Sequence, residues 1–187
     1  MRIVASAVHL FGTRDYDAVT VADVCTGARV SKRYFYEHFV DREDLIGAVH
    51  RELNDWVQQG MASAMADASA TLTDSLRRAL RVHIGQLRDH PDRARLIYIN
   101  APRSAIRRRA LSRRNAEFFG HFVRRAGAQG DDRLRDDRLR YDRTLLALVA
   151  GVSEVIVDWI IREMSDDPDE LAEHLAGIAA ALLAEQP

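Results

Sequence analysis

The stretch Thr20-Val-Ala-Asp-Val-Cys-Thr-Gly-Ala-Arg-Val-Ser-Lys-Arg-Tyr-Phe-Tyr-Glu-His-Phe39 decides the fold. It reads as two short capped helices meeting at a tight turn. Thr20 with Asp23 three residues on fits a capping box, so a helix begins at Val21 and buries Val24, and Gly27 is expected to interrupt it. Ser31 is the next N-cap; the helix it opens turns Val30, Phe35 and Phe39 to one side and leaves Lys32, Arg33, Tyr34, Tyr36 and His38 for another. A basic, aromatic second helix set at an angle to a short first one is a device for entering the major groove of DNA.

A third helix starts at Asp41, with Glu43 and Asp44 in the first turn, where carboxylates suit the positive end of the helix dipole. Leu45, Val49, Leu53 and Trp56 continue its apolar face, and the helix is expected to run to about Ala66. Periodicity stays helical beyond it, with no competing strand pattern. Leu72, Leu76, Leu80, His83, Ile84 and Leu87 follow Thr71 at helix spacing; Asp89-His-Pro91 stops that helix and starts a short one through Tyr98, and Asn100-Ala-Pro102 breaks again. A longer helix turns Leu111, Asn115, Phe118 and Phe122 to one face and ends near Gly127 to Gly130. The expected fold class is all-α: an N-terminal three-helix helix-turn-helix domain, residues 1–46, and a larger helical regulatory and dimerisation domain, residues 47–187.

The run from Ala7-Val-His-Leu-Phe11 through Tyr16-Asp-Ala-Val-Thr-Val21 to Val30–Phe39 and Arg42-Glu-Asp-Leu45 resembles the DNA-binding domain of TetR-family transcriptional regulators. The resemblance covers about the first quarter of the chain; Gly151 to Ile161 is only loosely like the family's late helices. It implies a homodimer that binds a palindromic double-stranded DNA operator and releases it when a small-molecule effector enters the larger domain. Thr20, Tyr36 and Arg42 match positions that in the family touch phosphates and set register. Ser31, the N-cap, opens the recognition helix. Lys32, Arg33 and Tyr34 in its first turn are candidates for base edges, Arg33 through a bidentate contact to guanine, and His38 is a further candidate.

Two positions depart from the family pattern. Arg29 stands where a glycine is usual, so the turn either leans on Gly27 or holds Arg29 under slight strain, since a positive φ costs a non-glycine residue about 1 kcal/mol. Asp15 replaces the glycine that usually ends the first helix, a milder change because Asp tolerates the left-handed region. The sequence begins inside the expected first helix, so no minor-groove contact from a preceding basic arm is expected.

The 187 residues carry 27 Lys and Arg against 28 Asp and Glu. Within the first fifty-one, Arg2, Arg14, Arg29, Lys32, Arg33, Arg42 and Arg51 are matched by Asp15, Asp17, Asp23, Glu37, Asp41, Glu43 and Asp44. Placement therefore carries the DNA-binding case: four of the cations cluster at the second helix and the next helix start, while several acids occupy caps. Binding should be local and dimer-dependent, with a modest salt slope. No long uninterrupted apolar run and no signal-peptide pattern stand out, and there is one cysteine, so neither a membrane span nor a disulfide framework is expected and the compartment is the cytoplasm. Cys25 reads as a small buried residue rather than a redox sensor.

The segment Leu145–Ile161 is apolar on nearly every side, as suits a helix covered on more than one face. Asp167-Pro-Asp-Glu170 supplies an N-cap, a first-turn proline and a capping-box acid for a last helix presenting Leu171, Leu175, Ile178 and Leu182, with Gly177 allowing close approach. In the family the last two helices build a four-helix dimer interface, and this pattern suits it. Trp56, His83, Tyr98, Phe118, Phe122, Glu154 and Trp159 interrupt apolar faces and are the candidate ligand-binding residues, with ordinary core packing the alternative for each; Glu154 must find a partner if buried. The cluster Arg107, Arg108, Arg109, Arg113 and Arg114 suggests a solvated helix face before a phosphate-binding enzyme site, because no glycine-rich loop, nucleophile–base pair or metal-ligand spacing accompanies it. The charged repeat from Asp131 to Arg140 reads as a loop or helix entry. No catalytic residue, cofactor or metal is expected. The alternative function is a DNA-binding regulator whose C-terminal domain only dimerises or receives a protein partner.

Overall fold

The computed structural model describes residues 2–66, 70–100, 113–121 and 138–184, and among them the regular structure is helical with no strand. Phe122, Arg107 to Arg109, the expected end near Gly127 to Gly130 and most of the 131–140 repeat lie outside the described residues.

Helix α1, Arg2–Thr13, buries Ile3, Val4, Ala7 and Phe11 at helical spacing. A single 3-10 turn, Tyr16–Ala18, leads to α2, Val21–Ala28, and α3, Lys32–Tyr36. Helix α4, Arg42–Ala64, is continuous across residue 46 and carries one buried row from Leu45 to Met61. Its N-cap Asp41 accepts from the Asp44 amide at 2.8 Å, which satisfies one donor of the helix start, and the Asp44 carboxylate accepts from the amide of Val40, just before the cap, at 3.2 Å.

Thr71 caps α5, Leu72–Asp89, by accepting from the Asp74 amide at 3.1 Å. Pro91 then opens α6, Pro91–Arg95, at the position where a missing N–H costs nothing. The chain continues into a wide π-helical turn, Leu96–Asn100. Such turns are uncommon and concentrate at functional sites. Helix α7 comprises residues 113–121, α8 spans Arg138–Ile161, and α9 spans Pro168–Ala184. The Asp167 carboxylate caps α9, accepting from the Asp169 and Glu170 amides at 2.9 and 3.1 Å.

The core of α1 to α3 runs on without a break through Leu45, Val49, Leu53 and Met61 to Leu76, Leu96 and Leu148. A second cluster joins Leu80, Ile84 and Leu87 of α5 to Ile156, Trp159 and Ile160 of α8 and Leu171 and Leu175 of α9. The α5–α9 seam is edged by ion pairs, Arg77 to Glu173 at 2.7 Å and Arg81 to Asp169 at 3.4 Å. Two contacts lock the N-terminal helices onto this body. A side chain at Gly12 would lie 2.6 Å from the Asp92 carbonyl oxygen, so only glycine permits α1 to meet α6. Buried Asn100 donates from Nδ2 to the Phe11 carbonyl at 2.6 Å, satisfying an orphan carbonyl near the end of α1.

Helix α8 has charged residues within it, Glu154 and Asp158 among them, yet over Leu139–Ile161 it is long and apolar enough to cross a bilayer by length and composition. In the fold Leu145, Leu148, Val149, Ile156, Trp159 and Ile160 face the core. The other side is open and carries Ala147, Gly151, Glu154, Asp158 and Ile161. In the single chain Glu154 is therefore exposed.

Candidate functional site

The turn between α2 and α3 is built by caps. Thr20 and Asp23 form the full capping box: the Thr20 hydroxyl accepts from the Asp23 amide at 3.2 Å, and the Asp23 carboxylate accepts from the Thr20 amide at 2.8 Å and its hydroxyl at 2.6 Å. The Thr20 hydroxyl bond is the main reason the Asp23 carboxyl sits below the usual carboxylate range, followed by the bond from the Thr20 amide. Contrary to expectation, α2 does not stop at Gly27. It runs to Ala28 and ends in a left-handed Arg29, φ 55° and ψ 49°. The Arg29 amide donates to Thr26 and the Val30 amide to Cys25, at 3.1 and 3.0 Å, a Schellman ending made with arginine where glycine is favoured. Gly27 serves packing instead: a Cβ there would collide with the Ser6 hydroxyl of α1, which donates to the Val24 carbonyl at 3.1 Å. Asp15 is extended, φ −57° and ψ 136°, so it has no left-handed conformation to tolerate.

Ser31 caps α3 by accepting from the Tyr34 amide at 3.1 Å. Phe35 is fully buried and packs on Phe39 with ring centroids 5.6 Å apart, which anchors the helix by one side. Lys32, Arg33, Tyr34, Tyr36 and His38 all face solvent. The Arg33 side chain is 90% exposed and pairs with Glu37 at 3.3 Å across one turn. An exposed pair of that kind contributes little and leaves the guanidinium free to exchange partners. Tyr34 and His38 stack with centroids 4.5 Å apart, and His38 Nδ1 lies 2.9 Å from the Tyr34 carbonyl oxygen.

Arg42 is placed differently from the α3 residues. Its guanidinium donates to the carbonyls of Tyr16 and Val19 at 3.3 and 3.1 Å and lies 4.6 Å from the Tyr16 ring centroid. The Tyr16 hydroxyl donates in turn to Glu43. Arg42 thereby fixes the link between α1 and α2, a role that sequence reasoning did not anticipate. Cys25 is buried, and burial pushes its thiol above the ordinary value with only partial offset from Lys32, which fits a packing residue.

A second concave feature lies in the C-terminal body. Residues of α4, α5, the Leu96–Asn100 turn, α7, α8 and α9 line a partly open cavity of about 60 Å³. Of the candidate ligand residues, His83, Tyr98 and Phe118 line it. His83 Nε2 lies 2.6 Å from the Tyr98 hydroxyl, while its buried Nδ1 has no partner among the described residues. Burial lowers the His83 pKa to about 4, and it likewise raises that of the Tyr98 phenol, so both are neutral near pH 7. The other described candidates are elsewhere. Trp56 packs edge-on against His90, 5.4 Å between centroids, and under Arg93; Trp159 is fully buried core whose indole donates to the Asp166 carbonyl at 3.4 Å; Glu154 is on the open side of α8. Gln58, Asn115 and Ser153 line the cavity and were not anticipated. Their signal was a polar residue at core-facing helical spacing, visible for Asn115 one turn before Phe118.

Residues 3–49 match the family described as bacterial regulatory proteins, tetR family. These residues, from α1 into the start of α4, are thus a DNA-binding domain of that family. The fold extends the likeness over the whole chain. The fatty acid degradation regulator FadR from Bacillus halodurans superposes with TM-score 0.78 at 17% identity, covering 100% of this chain and 98% of that one. FadR from Bacillus subtilis, solved in complex with stearoyl-CoA, gives 0.73 at 16% identity over 96% of each chain. A TetR-like regulator from Rhodococcus sp. RHA1 gives 0.69 at 20% identity, covering 98% and 94%. No curated protein is matched by the sequence. The architecture is that of TetR-family DNA-binding transcriptional regulators, with α2 and α3 as the helix-turn-helix pair.

Proposed function

We propose that the chain is a cytoplasmic, non-catalytic repressor that binds a palindromic operator as a homodimer and is released by a small molecule held in the C-terminal cavity. The observation that carries the DNA-binding part is the outward face of α3. Phe35 and Phe39 hold the helix from beneath, so Lys32, Arg33 and Tyr34 project together from its first turn. Thr20, Ser31, Tyr36, His38 and Arg42 surround that face. Arg33 can make a bidentate contact to guanine, whereas Arg42, through its hold on Tyr16 and Val19, sets the register of α2 and α3 on the backbone.

The dimer uses the open sides of α8 and α9. Ala147, Gly151 and Ile161 on α8 and Gly177, Ile178 and Leu182 on α9 are exposed in the single chain, and beyond the adjoining turns of the helix itself no described atom lies within 4 Å of a Cβ placed on either glycine. Burying these faces against their two-fold copies gives a four-helix seam. The two α3 helices must then lie about 34 Å apart to read successive major grooves.

The Leu96–Asn100 turn offers the route from cavity to DNA. Tyr98 lines the cavity and Asn100, two residues on, is bonded to Phe11 at the end of α1. A ligand that moves Tyr98 therefore acts on the seat of the helix-turn-helix. A difference of about 1–3 kcal/mol in ligand affinity between the two placements releases the operator 5- to 150-fold. The cavity favours this over a C-terminal domain that only dimerises or receives a protein.

The division of labour is tested with purified protein and a randomised DNA library. Arg33→Ala should relax preference at particular base pairs, while Arg42→Ala should weaken all sequences alike. Equal, sequence-independent losses in both variants would refute it.

A further inference from the structure

We infer that the cavity takes a small uncharged molecule with an apolar body and one hydroxyl- or carbonyl-type group, and discriminates against carboxylates and amines; the inference rests on the reading of this cavity as the effector site. Its walls are mostly apolar, from side chains such as Val57, Met61, Leu76 and Leu148. The polar groups among the described lining residues are all of neutral type: Gln58, His83, Tyr98, Asn115 and Ser153. No Lys, Arg, Asp or Glu is among them. The nearest arginine in sequence to Asn115, Arg114, is exposed and paired with Asp55 at 2.5 Å.

The polar groups differ in what they have left to give. Gln58 donates to Asn115 at 3.3 Å, so these two amides partly satisfy each other across the α4–α7 wall. His83 and Tyr98 share one hydrogen bond. A neutral imidazole and a phenol together hold more donor and acceptor capacity than one bond consumes, and the Ser153 hydroxyl adds another donor and acceptor. A guest hydroxyl or carbonyl can use that capacity. A carboxylate or ammonium group would lose its hydration without meeting an opposite charge among the described lining residues, a penalty of several kcal/mol that neutral hydrogen bonds do not repay. His83 does not rescue a carboxylate near neutral pH, because burial keeps the imidazole uncharged. The volume is several times the 10–15 Å³ or so needed for one water on the same measure, which suits a short chain or a single ring.

The test is calorimetric titration of the full-length protein at pH 7.5 with three probes of equal chain length: 1-octanol, octanoate and octylamine. 1-Octanol should bind at least tenfold more tightly than either charged probe, and Tyr98→Phe and Ser153→Ala, which keep the packing, should between them weaken octanol severalfold while leaving the charged probes unchanged. Octanoate or octylamine binding as tightly as octanol overturns the inference, as does absence of octanol binding. Operator release is measured separately by fluorescence anisotropy of labelled DNA. Octanol binding without release supports the ligand class and refutes the regulatory reading; tighter binding and release by octanoate does the opposite.

Discussion

The helix-turn-helix and the cavity differ in where their chemistry points. In the first, the candidate side chains project outward from a five-residue helix whose beginning is set by Ser31 and whose buried side is set by Phe35. In the second, they project inward from six separate elements and meet only after the chain has folded. A surface reader can be specified by local caps and spacing. An interior site is specified by packing, and its members are indistinguishable from core until the helices are placed.

The largest test of that contrast is truncation of each region's buried anchor. Phe35→Ala and Trp159→Ala each remove a fully buried aromatic and should each cost about 3–5 kcal/mol. Hydrogen exchange should localise the damage, to α1–α3 for Phe35→Ala and to α5, α8 and α9 for Trp159→Ala. Identical deprotection patterns would erase the distinction between the regions.

Next in size is the pH dependence of the cavity. His83 titrates at about 4 in the folded chain against 6.5 ordinarily, because burial disfavours the imidazolium. The unfolded chain takes up a proton between these values that the folded chain refuses. Stability is therefore full above pH 6.5, falls as pH drops from 6.5 to 4, and levels below that, with a total loss of about 3 kcal/mol from this group. Urea midpoints at pH 7.5 and 5 should diverge more for the wild type than for His83→Gln. The same divergence in both proteins would show that the cavity histidine is not held neutral by burial.

The smallest effect belongs to the helix-turn-helix. Arg29 occupies the left-handed region at φ 55°, so Arg29→Gly should stabilise the chain by about 1 kcal/mol. A thermal midpoint that falls in Arg29→Gly would mean that the arginine side chain contributes more than its backbone costs.

The same contrast explains what could be read from the sequence. Thr20, Ser31, Asp41, Thr71 and Asp167 announce helix starts because a cap bonds within three residues, and all five caps are made. The departure at Arg29 was legible as a choice between two positions: the left-handed residue is Arg29, while Gly27 stays in the helix and makes room for Ser6. Asp15 misled because a loop residue's conformation depends on the 3-10 turn that follows. The dual use of Arg42 depends on Tyr16 and Val19, more than twenty residues away, and no local pattern shows it. In the cavity, His83 and Tyr98 stood out as polar interruptions of apolar faces, yet so did Trp56 and Trp159, which packing sends elsewhere. Gln58 and Ser153 went unremarked because a single amide or hydroxyl on a helix has no spacing partner.

The central claim is that α3 reads DNA only when a second copy is held one helical turn away. Selection of binding sites from random duplex DNA by the purified full-length protein tests it most directly. The account predicts an inverted repeat with half-site centres about 10 base pairs apart or a small multiple of that, bound as a dimer. Recovery of a single unrepeated half-site, bound equally well by a monomer, would contradict it.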